Sequence, residues 1–414
     1  MAAHDALPSR NPQLVVVAVD DAWVAYDPVR RQAHLLNLTA GLVLDACDGE
    51  TTEGAVTAEL AAAFAIETTL VARQVAAALT DFGERGLLRG SPDETISAID
   101  EPRLADPTTA PTPAGDRTWA VQPPTLDLLG TAVQIRIEEP GLAAVATGVL
   151  ASLIDTCATN RAPSIHLDLV TNDETVILLR DDRALLQTGD RSLALQRLLG
   201  ELNQQAVGGT TDTVLLHAAA VRGPKGIAVL PADSNSGKST LAAALVRAGY
   251  DYLTDEAVGI DVHSGAVRVY PRAVGLGPGS WPLFPDVAPT AAETDAGYFA
   301  EEWHVDPRRL RAGALDHLDQ LDEVGEVGGV PIVVVAFPTY EPDESSRIEP
   351  VERATALLVV LHNAFNLAAV GEPGVRALDD LTHHTATVRL VSRDLDEAVA
   401  LLTPWLGPST VSGQ

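Results

Sequence analysis

A chain of 414 residues with 46% hydrophobic content is too long for one core, so two or three domains are expected. A formal net charge of −29 repels a phosphate backbone, which argues against nucleic acid and suits a neutral or basic peptide. Two cysteines, Cys47 and Cys157, fit neither a metal site nor a disulfide framework, Met1 to Arg10 lacks a signal-peptide pattern, and no apolar run reaches spanning length; a cytoplasmic protein with no membrane partner is expected.

Residues 1–90 are expected to form the first domain. Gln13 to Val19 and Ala22 to Tyr26 have strand character, with Asp20-Asp21 as the turn, and Ala33 to Leu38 is a third strand. Thr39 is positioned to cap a helix that stops at Asp48-Gly49. Gly54 to Phe64 and Thr69 to Gly83 carry helical patterns, and Gly86-Leu87-Leu88 closes the unit. Three strands and three helices make a small winged-helix-like α+β module. Residues 91–124 hold seven prolines and are expected to be a poorly structured tether.

From residue 125 to 406 strands and helices alternate, predicting an α/β domain, with 407–414 as a disordered tail. Ala132 to Ile137, Ser164 to Val170, Glu174 to Leu179 and Val214 to Val221 are expected strands, and Leu142 to Ile154 and Arg191 to Gln205 expected helices. Gly226 to Leu230 is a buried strand that leads directly into Ala232-Asp233-Ser234-Asn235-Ser236-Gly237-Lys238-Ser239-Thr240, followed by a helix to Arg247. Tyr252 to Thr254 opens the next strand; Pro331 to Phe337 is a later strand and Val351 to Phe365 a later helix.

A strand, a loop ending Gly-Lys-Ser and a helix make a phosphate cradle. Backbone N–H groups hold phosphate oxygens, Lys238 neutralises β/γ charge, and the Ser239 hydroxyl reaches Mg²⁺. The chain has only two lysines, Lys225 and Lys238, among 28 basic residues, and one stands where a compact ammonium is required. ATP and Mg²⁺ are the expected cofactors. The alternative is a Ser/Asn-rich turn that merely caps a helix. Asp255 follows Lys238 by the length of one helix and a short strand. On a strand parallel to Gly226–Leu230 it reaches the phosphate loop. It would then serve as general base toward a hydroxyl, with Glu256 as metal holder; a Mg²⁺-holding pair or a solvated turn stays open. His217, in the expected strand upstream of the loop, is a second candidate, with a structural histidine as the alternative.

These residues resemble the HPr kinase/phosphorylase family, which carries a His, then a G-D-S-x-x-G-K-S loop, then an acidic pair at the spacings of His217, Ala232–Ser239 and Asp255-Glu256. The resemblance implies an HPr kinase/PEP carboxykinase-like P-loop fold. It implies Asp255 as base, His217 as its assistant, Lys238 on phosphate and Ser239 on Mg²⁺, over residues 213–260. Ala232 and Asn235 replace two loop glycines, and Val269 to Gly275, the counterpart of a downstream signature, keeps Arg272 but not its Glu. These departures point away from HPr as substrate and toward the HPr-kinase-like proteins of modified-peptide pathways, including lasso peptide kinases.

The first domain is similar to PqqD-like peptide-recognition domains, through His34 to Ala40, Asp48-Gly49-Glu50-Thr51-Thr52 and Gly86-Leu87-Leu88. The resemblance implies that residues 13–90 bind the leader of a ribosomal precursor peptide, on strand Ala33–Leu38 and helix Thr69–Gly83. The combined expectation is a leader-guided kinase of a peptide Ser or Thr. An ATP-binding adaptor without phosphate transfer and a regulatory kinase of a folded protein are the alternatives, and a homo-oligomer is left open.

Overall fold

The computed structural model describes residues 6–90, 117–172, 175–233, 236–291, 302–320, 326–327 and 329–408. Most of the expected tether (91–116) and the end of the expected tail (409–414) lie outside the described residues. In chain order the elements begin β1 (Val15–Val19), β2 (Ala22–Asp27), β3 (Gln32–Asn37), α1 (Leu38–Asp45), α2 (Glu53–Phe64) and α3 (Thr68–Glu84). Next come β4 (Leu126–Leu128), β5 (Thr131–Ile137), α4 (Pro140–Cys157), β6 (Ile165–Asn172), β7 (Thr175–Arg180), β8 (Arg183–Thr188) and α5 (Arg191–Gly208). The site region holds β9 (Thr213–Gly223), β10 (Gly226–Pro231), α6 (Lys238–Arg247), β11 (Asp251–Thr254), β12 (Ala257–Asp261), β13 (Val267–Arg268) and β14 (Val274–Leu276). Then follow β15 (Trp303–Val305), α7 (Pro307–Leu310), β16 (Glu326–Val327), β17 (Ile332–Tyr340) and β18 (Arg347–Pro350). The chain closes with α8 (Arg353–His362), α9 (Leu367–Val370), α10 (Glu372–His384), β19 (Ala386–Ser392) and α11 (Leu395–Leu406).

Two compact units result. The first contains residues 1–100 together with 351–362 and 367–383; the second contains 101–350, 363–366 and 384–414. This differs from the division read in the sequence, which places everything from 125 to 406 in one domain. The apolar pattern of α8 says that it must be buried, not against what.

In the first unit β1, β2 and β3 form an antiparallel sheet. Period-two alternation gives it two apolar faces. Val16, Ala25 and Leu36 face the core shared with Val43, Leu44, Val56, Leu60, Val71, Val75 and Phe82 of α1 to α3. The opposite face carries Val15, Val17, Val19, Val24 and Tyr26, all buried, with Val15 opposite Tyr26 and Val17 opposite Val24. Helix α8 packs on β2 and β3 and buries Ala356, Leu357, Val360 and Leu361. Asn37, not Thr39, caps α1, its side-chain oxygen accepting from the Ala40 amide. Leu38, expected as the end of the third strand, is therefore the first residue of that helix.

The second unit holds a nine-stranded mixed sheet in the order β16-β13-β12-β9-β10-β17-β19-β18, with β11 also paired to β9. Strands β10, β17 and β19 are parallel neighbours, while β9 runs antiparallel to β10, β11 and β12. Strand β11 thus shares the direction of β10, as expected, but β9 lies between them. A five-stranded sheet, β4-β5-β6-β7-β8, shares a core with α4 and α5 that continues to Leu215, Ala257, Tyr270 and Ala273 beside the site. Helix α4 is long and apolar enough to cross a membrane by length and composition, contrary to the expectation from the sequence. It buries Leu142, Ala146, Leu150 and Leu153 in that shared core. Cys47 and Cys157 are free thiols.

Candidate phosphate-binding site

The hairpin of β9 and β10 sets the geometry. Pairing of Pro231 with Ala218 brings His217 beside the point where β10 becomes the loop. On the other edge of β9, His217 is opposite Ala257, so Asp255 and Glu256 reach the same place from the β11–β12 turn. The segments that carry Lys238, His217 and the acidic pair therefore converge, although all of α6 and β11 separates the first from the last along the chain.

Gly237 ends the loop at φ 86°, a left-handed conformation in which a side chain would be strained, and among the described residues no side chain caps α6 behind it. An uncapped helix N-terminus offers amides and positive dipole to an anion. Ser236 donates its amide to Asp233 O, and its buried hydroxyl has no hydrogen-bond partner among the described residues. An orphaned donor in the loop fits an approaching phosphate oxygen. Ser239 is half-buried on the first turn of α6, and the Thr240 hydroxyl pairs with Ser280 Oγ at 2.6 Å. Ser234 and Asn235 lie outside the described residues.

Lys238 is only 6% exposed. Its Nζ lies 2.7 Å from His217 Nε2 and 3.4 Å from the Ala232 carbonyl. Burial holds the ammonium below the ordinary lysine pKa, against the pull of Glu256 and Asp255. Burial, then the Lys238 charge, likewise depress His217. The pair is therefore consistent with an ammonium donating to a neutral imidazole. The Phe365 ring lies 5.4 Å from the His217 ring.

Asp255 is buried and fully engaged. Its Oδ1 accepts from the Tyr252 hydroxyl at 3.0 Å and its Oδ2 from the Gly275 amide at 2.9 Å. Arg272 Nε lies 3.5 Å from Oδ1, and Arg272 Nη2 lies 3.8 Å from Glu256 Oε2. Burial works against the guanidinium charge, but Asp255 and Glu256 outweigh it and raise the Arg272 pKa. The Tyr252 phenol, raised well above its ordinary value by burial, is a fixed donor. Tyr270 Oη donates to Asn203 Oδ1 and so anchors the segment that delivers Arg272. Glu256, at 28% side-chain exposure, is the more accessible of the two carboxylates.

Sequence reasoning misses three partners. Tyr252 reads only as part of a strand, although that strand leads directly to Asp255. Glu302 packs its carboxylate against Gly275, where any Cβ would collide with it, and burial raises its pKa. No local signal marks Glu302, because it comes from β15's approach to β14. Asn363 to Phe365 fall within an expected helix, yet they run along β9 at His217.

Comparison with known proteins gives one family. The family described as Coenzyme PQQ synthesis protein D (PqqD) matches residues 22–88, from β2 to the end of the three-helix core. No curated protein matches the chain. Residues 22–88 therefore form a PqqD-like domain.

Proposed function

We propose that this protein is an ATP-dependent kinase that phosphorylates a Ser or Thr hydroxyl of a ribosomally made precursor peptide, held by its leader on the PqqD-like domain. The observation that carries the reading is the buried Lys238 ammonium at an uncapped helix N-terminus, in the same unit as the Asp255–Arg272 pair. ATP phosphates would lie on the α6 N-terminus, with Lys238 leaving His217 for the β/γ oxygens. Mg²⁺, held by Ser239 and phosphate oxygens with Glu256 nearby, would offset charge on the leaving ADP. The peptide hydroxyl attacks the γ-phosphorus, the new O–P bond forms as the bond to the β-phosphate oxygen breaks, and Asp255 takes the hydroxyl proton.

The peptide half of the reading rests on the family match, because PqqD-like domains bind precursor peptides. The edge of β3 away from β2 has no ladder partner among the described residues, and Leu35 on that strand is 43% exposed. An added strand there would supply main-chain hydrogen bonds, and apolar side chains would supply register.

A second reading is favoured by one observation. Both Asp255 oxygens are already engaged, by Tyr252 and Gly275. In an adaptor that binds ATP without transfer, Asp255 only holds Arg272 and the β14 segment in place. Incubation with Mg-ATP and a candidate precursor peptide that the protein binds, followed by intact-mass analysis, separates the two. A gain of one phosphate supports the kinase; an unchanged peptide with bound ATP supports the adaptor.

A further inference from the structure

Strand β9 changes partners along its length. On one edge it pairs with β10 from Gly223 back to Ala218, where Pro231 ends the ladder and the candidate phosphate loop begins. On the opposite edge β12 covers Thr213 to His217. Asn363–Asn366, which belong to the same unit as β9 and the loop, take the edge that β10 leaves. The His217 amide donates to Asn363 O at 2.7 Å, the Phe365 amide donates to Leu215 O at 2.8 Å, and Ala364 bridges Leu216 in the antiparallel sense. Asn366 then extends the ladder with its side chain. Its Oδ1 accepts from the Leu215 amide and its Nδ2 donates to the Thr213 carbonyl, both at 2.9 Å. A carboxamide carries the donor and acceptor of a peptide group, so it can stand in for one more residue of strand. Both asparagines are buried.

These contacts fix His217 twice. Its amide is tied to Asn363, and its ring lies 5.4 Å from the Phe365 ring at an interplanar angle of 40°. The imidazole held in this way sits 2.7 Å from Lys238 Nζ, whereas the Ala232 carbonyl is 3.4 Å from the same nitrogen. The shorter of these two contacts of the buried ammonium is thus the one that the Asn363–Asn366 segment supports. Phosphate oxygens that draw Lys238 toward the loop must first break it.

We propose that Asn363–Asn366 is a latch on β9 that holds His217 as a competitor of nucleotide for the Lys238 ammonium, and so sets the affinity of the loop for Mg-ATP. The inference rests on the reading of the loop as a nucleotide site. All its contacts lie within the second unit. An imidazole that is less firmly placed makes a poorer hydrogen bond to Lys238. The buried ammonium is then less well satisfied and gains more from phosphate oxygens. Loosening the latch should therefore tighten nucleotide binding, whereas general damage to the sheet would weaken it. The sign of the effect separates positioning from mere support of the fold. Phe365 and Asn366 are positioning residues; they act through His217 and touch no reacting atom.

A double-mutant cycle on the full chain tests this, with Mg-ATP binding read by calorimetry. Phe365→Leu keeps apolar bulk but removes the ring contact, and should lower the Kd for Mg-ATP by about threefold or more. His217→Ala should tighten binding at least as much. In the His217→Ala background Phe365→Leu should change the Kd by less than about 1.5-fold, because the residue through which it acts is gone. If Phe365→Leu does not fold, Asn366→Ala, which removes both side-chain bonds to β9, is judged by the same pattern. Unchanged or weaker binding in a folded latch variant overturns the latch and leaves the nucleotide site standing. An effect of equal size with and without His217 also overturns it, because the segment then acts by another route. Absence of Mg-ATP binding in the wild type overturns the nucleotide reading and the inference with it.

Discussion

The Lys238 ammonium is 2.7 Å from His217 Nε2, so the residue expected to grip phosphate is paired with an imidazole. Burial depresses both groups, and a bound triphosphate would offset it by supplying negative charge. Lys238→Ala removes that counter-charge and should weaken Mg-ATP binding by at least about tenfold, or about 1.4 kcal/mol. Lys238→Arg should not restore it, because a planar guanidinium fork cannot take the place of a compact ammonium that is 6% exposed. Isothermal titration of the three proteins checks this, and wild-type affinity in Lys238→Ala would remove the loop from consideration.

Asp255 presents a different problem, because removing its charge leaves the buried Arg272 with only the more distant Glu256 carboxylate. Asp255→Asn should lower phosphate transfer by roughly 10²–10⁴-fold with Mg-ATP still bound, but it also risks about 3–5 kcal/mol of stability. Tyr252→Phe is the cleaner probe. It keeps the ion pair and removes only the hydroxyl that donates to Asp255 Oδ1 and lies 2.9 Å from the Arg272 carbonyl. Transfer should fall about tenfold with Mg-ATP affinity changed by less than about twofold. Equal transfer rates in wild type and Tyr252→Phe would favour Glu256 or His217 as the proton acceptor.

The strand–loop–helix of the candidate site was legible because its determinants are local: an apolar strand, Gly237 at a positive φ, and a helix start with Lys and Ser. The meeting of His217 with Lys238 follows from a tight hairpin at Gly223–Gly226, whose register is also short-range. The position of Asp255 at the end of a strand that runs in the direction of β10 was legible as well. Glu302 was not, because β15 returns to β14 only after a long stretch of intervening chain whose path no local pattern fixes. Helix α8 shows the same limit: its apolar positions demanded burial, but Leu357 and Val360 carry no mark of which unit they fill.

The burial of that sheet's second face, where α8 packs on β2 and β3, makes a prediction about the PqqD-like domain. Val15, Val17, Val19, Val24 and Tyr26 form one buried face of β1 and β2, on the side away from α1 to α3. Burying each such side chain stabilises by about 1.5–3 kcal/mol, so the face as a whole matches a total stability of about 5–15 kcal/mol. Residues 1–90 expressed alone should therefore aggregate or give a poorly dispersed amide spectrum. Leader binding must be measured on the full chain. A well-dispersed spectrum and cooperative melting of residues 1–90 would show that α8 is dispensable to the fold.

Buried histidines should make the second unit acid-sensitive. Burial pushes His304 down to about 3 and His317 down to about 4, from an ordinary value of 6.5. A folded-state pKa below the unfolded one means that the unfolded chain binds more protons between the two values. Stability is then complete above pH 6.5 and is lost as pH falls below it. At about pH 5 each histidine costs at most about 2 kcal/mol. Thermal melts of the full chain should show Tm falling between about pH 7 and pH 5. His317 is the better one to replace, because both its ring nitrogens are buried without hydrogen-bond partners among the described residues, with Asp251 Oδ2 3.8 Å away. His317→Gln removes the titrating group and should flatten the pH slope by about half, whatever it does to Tm at neutral pH. An identical slope in wild type and variant would mean that His317 is not the group whose protonation opens the fold.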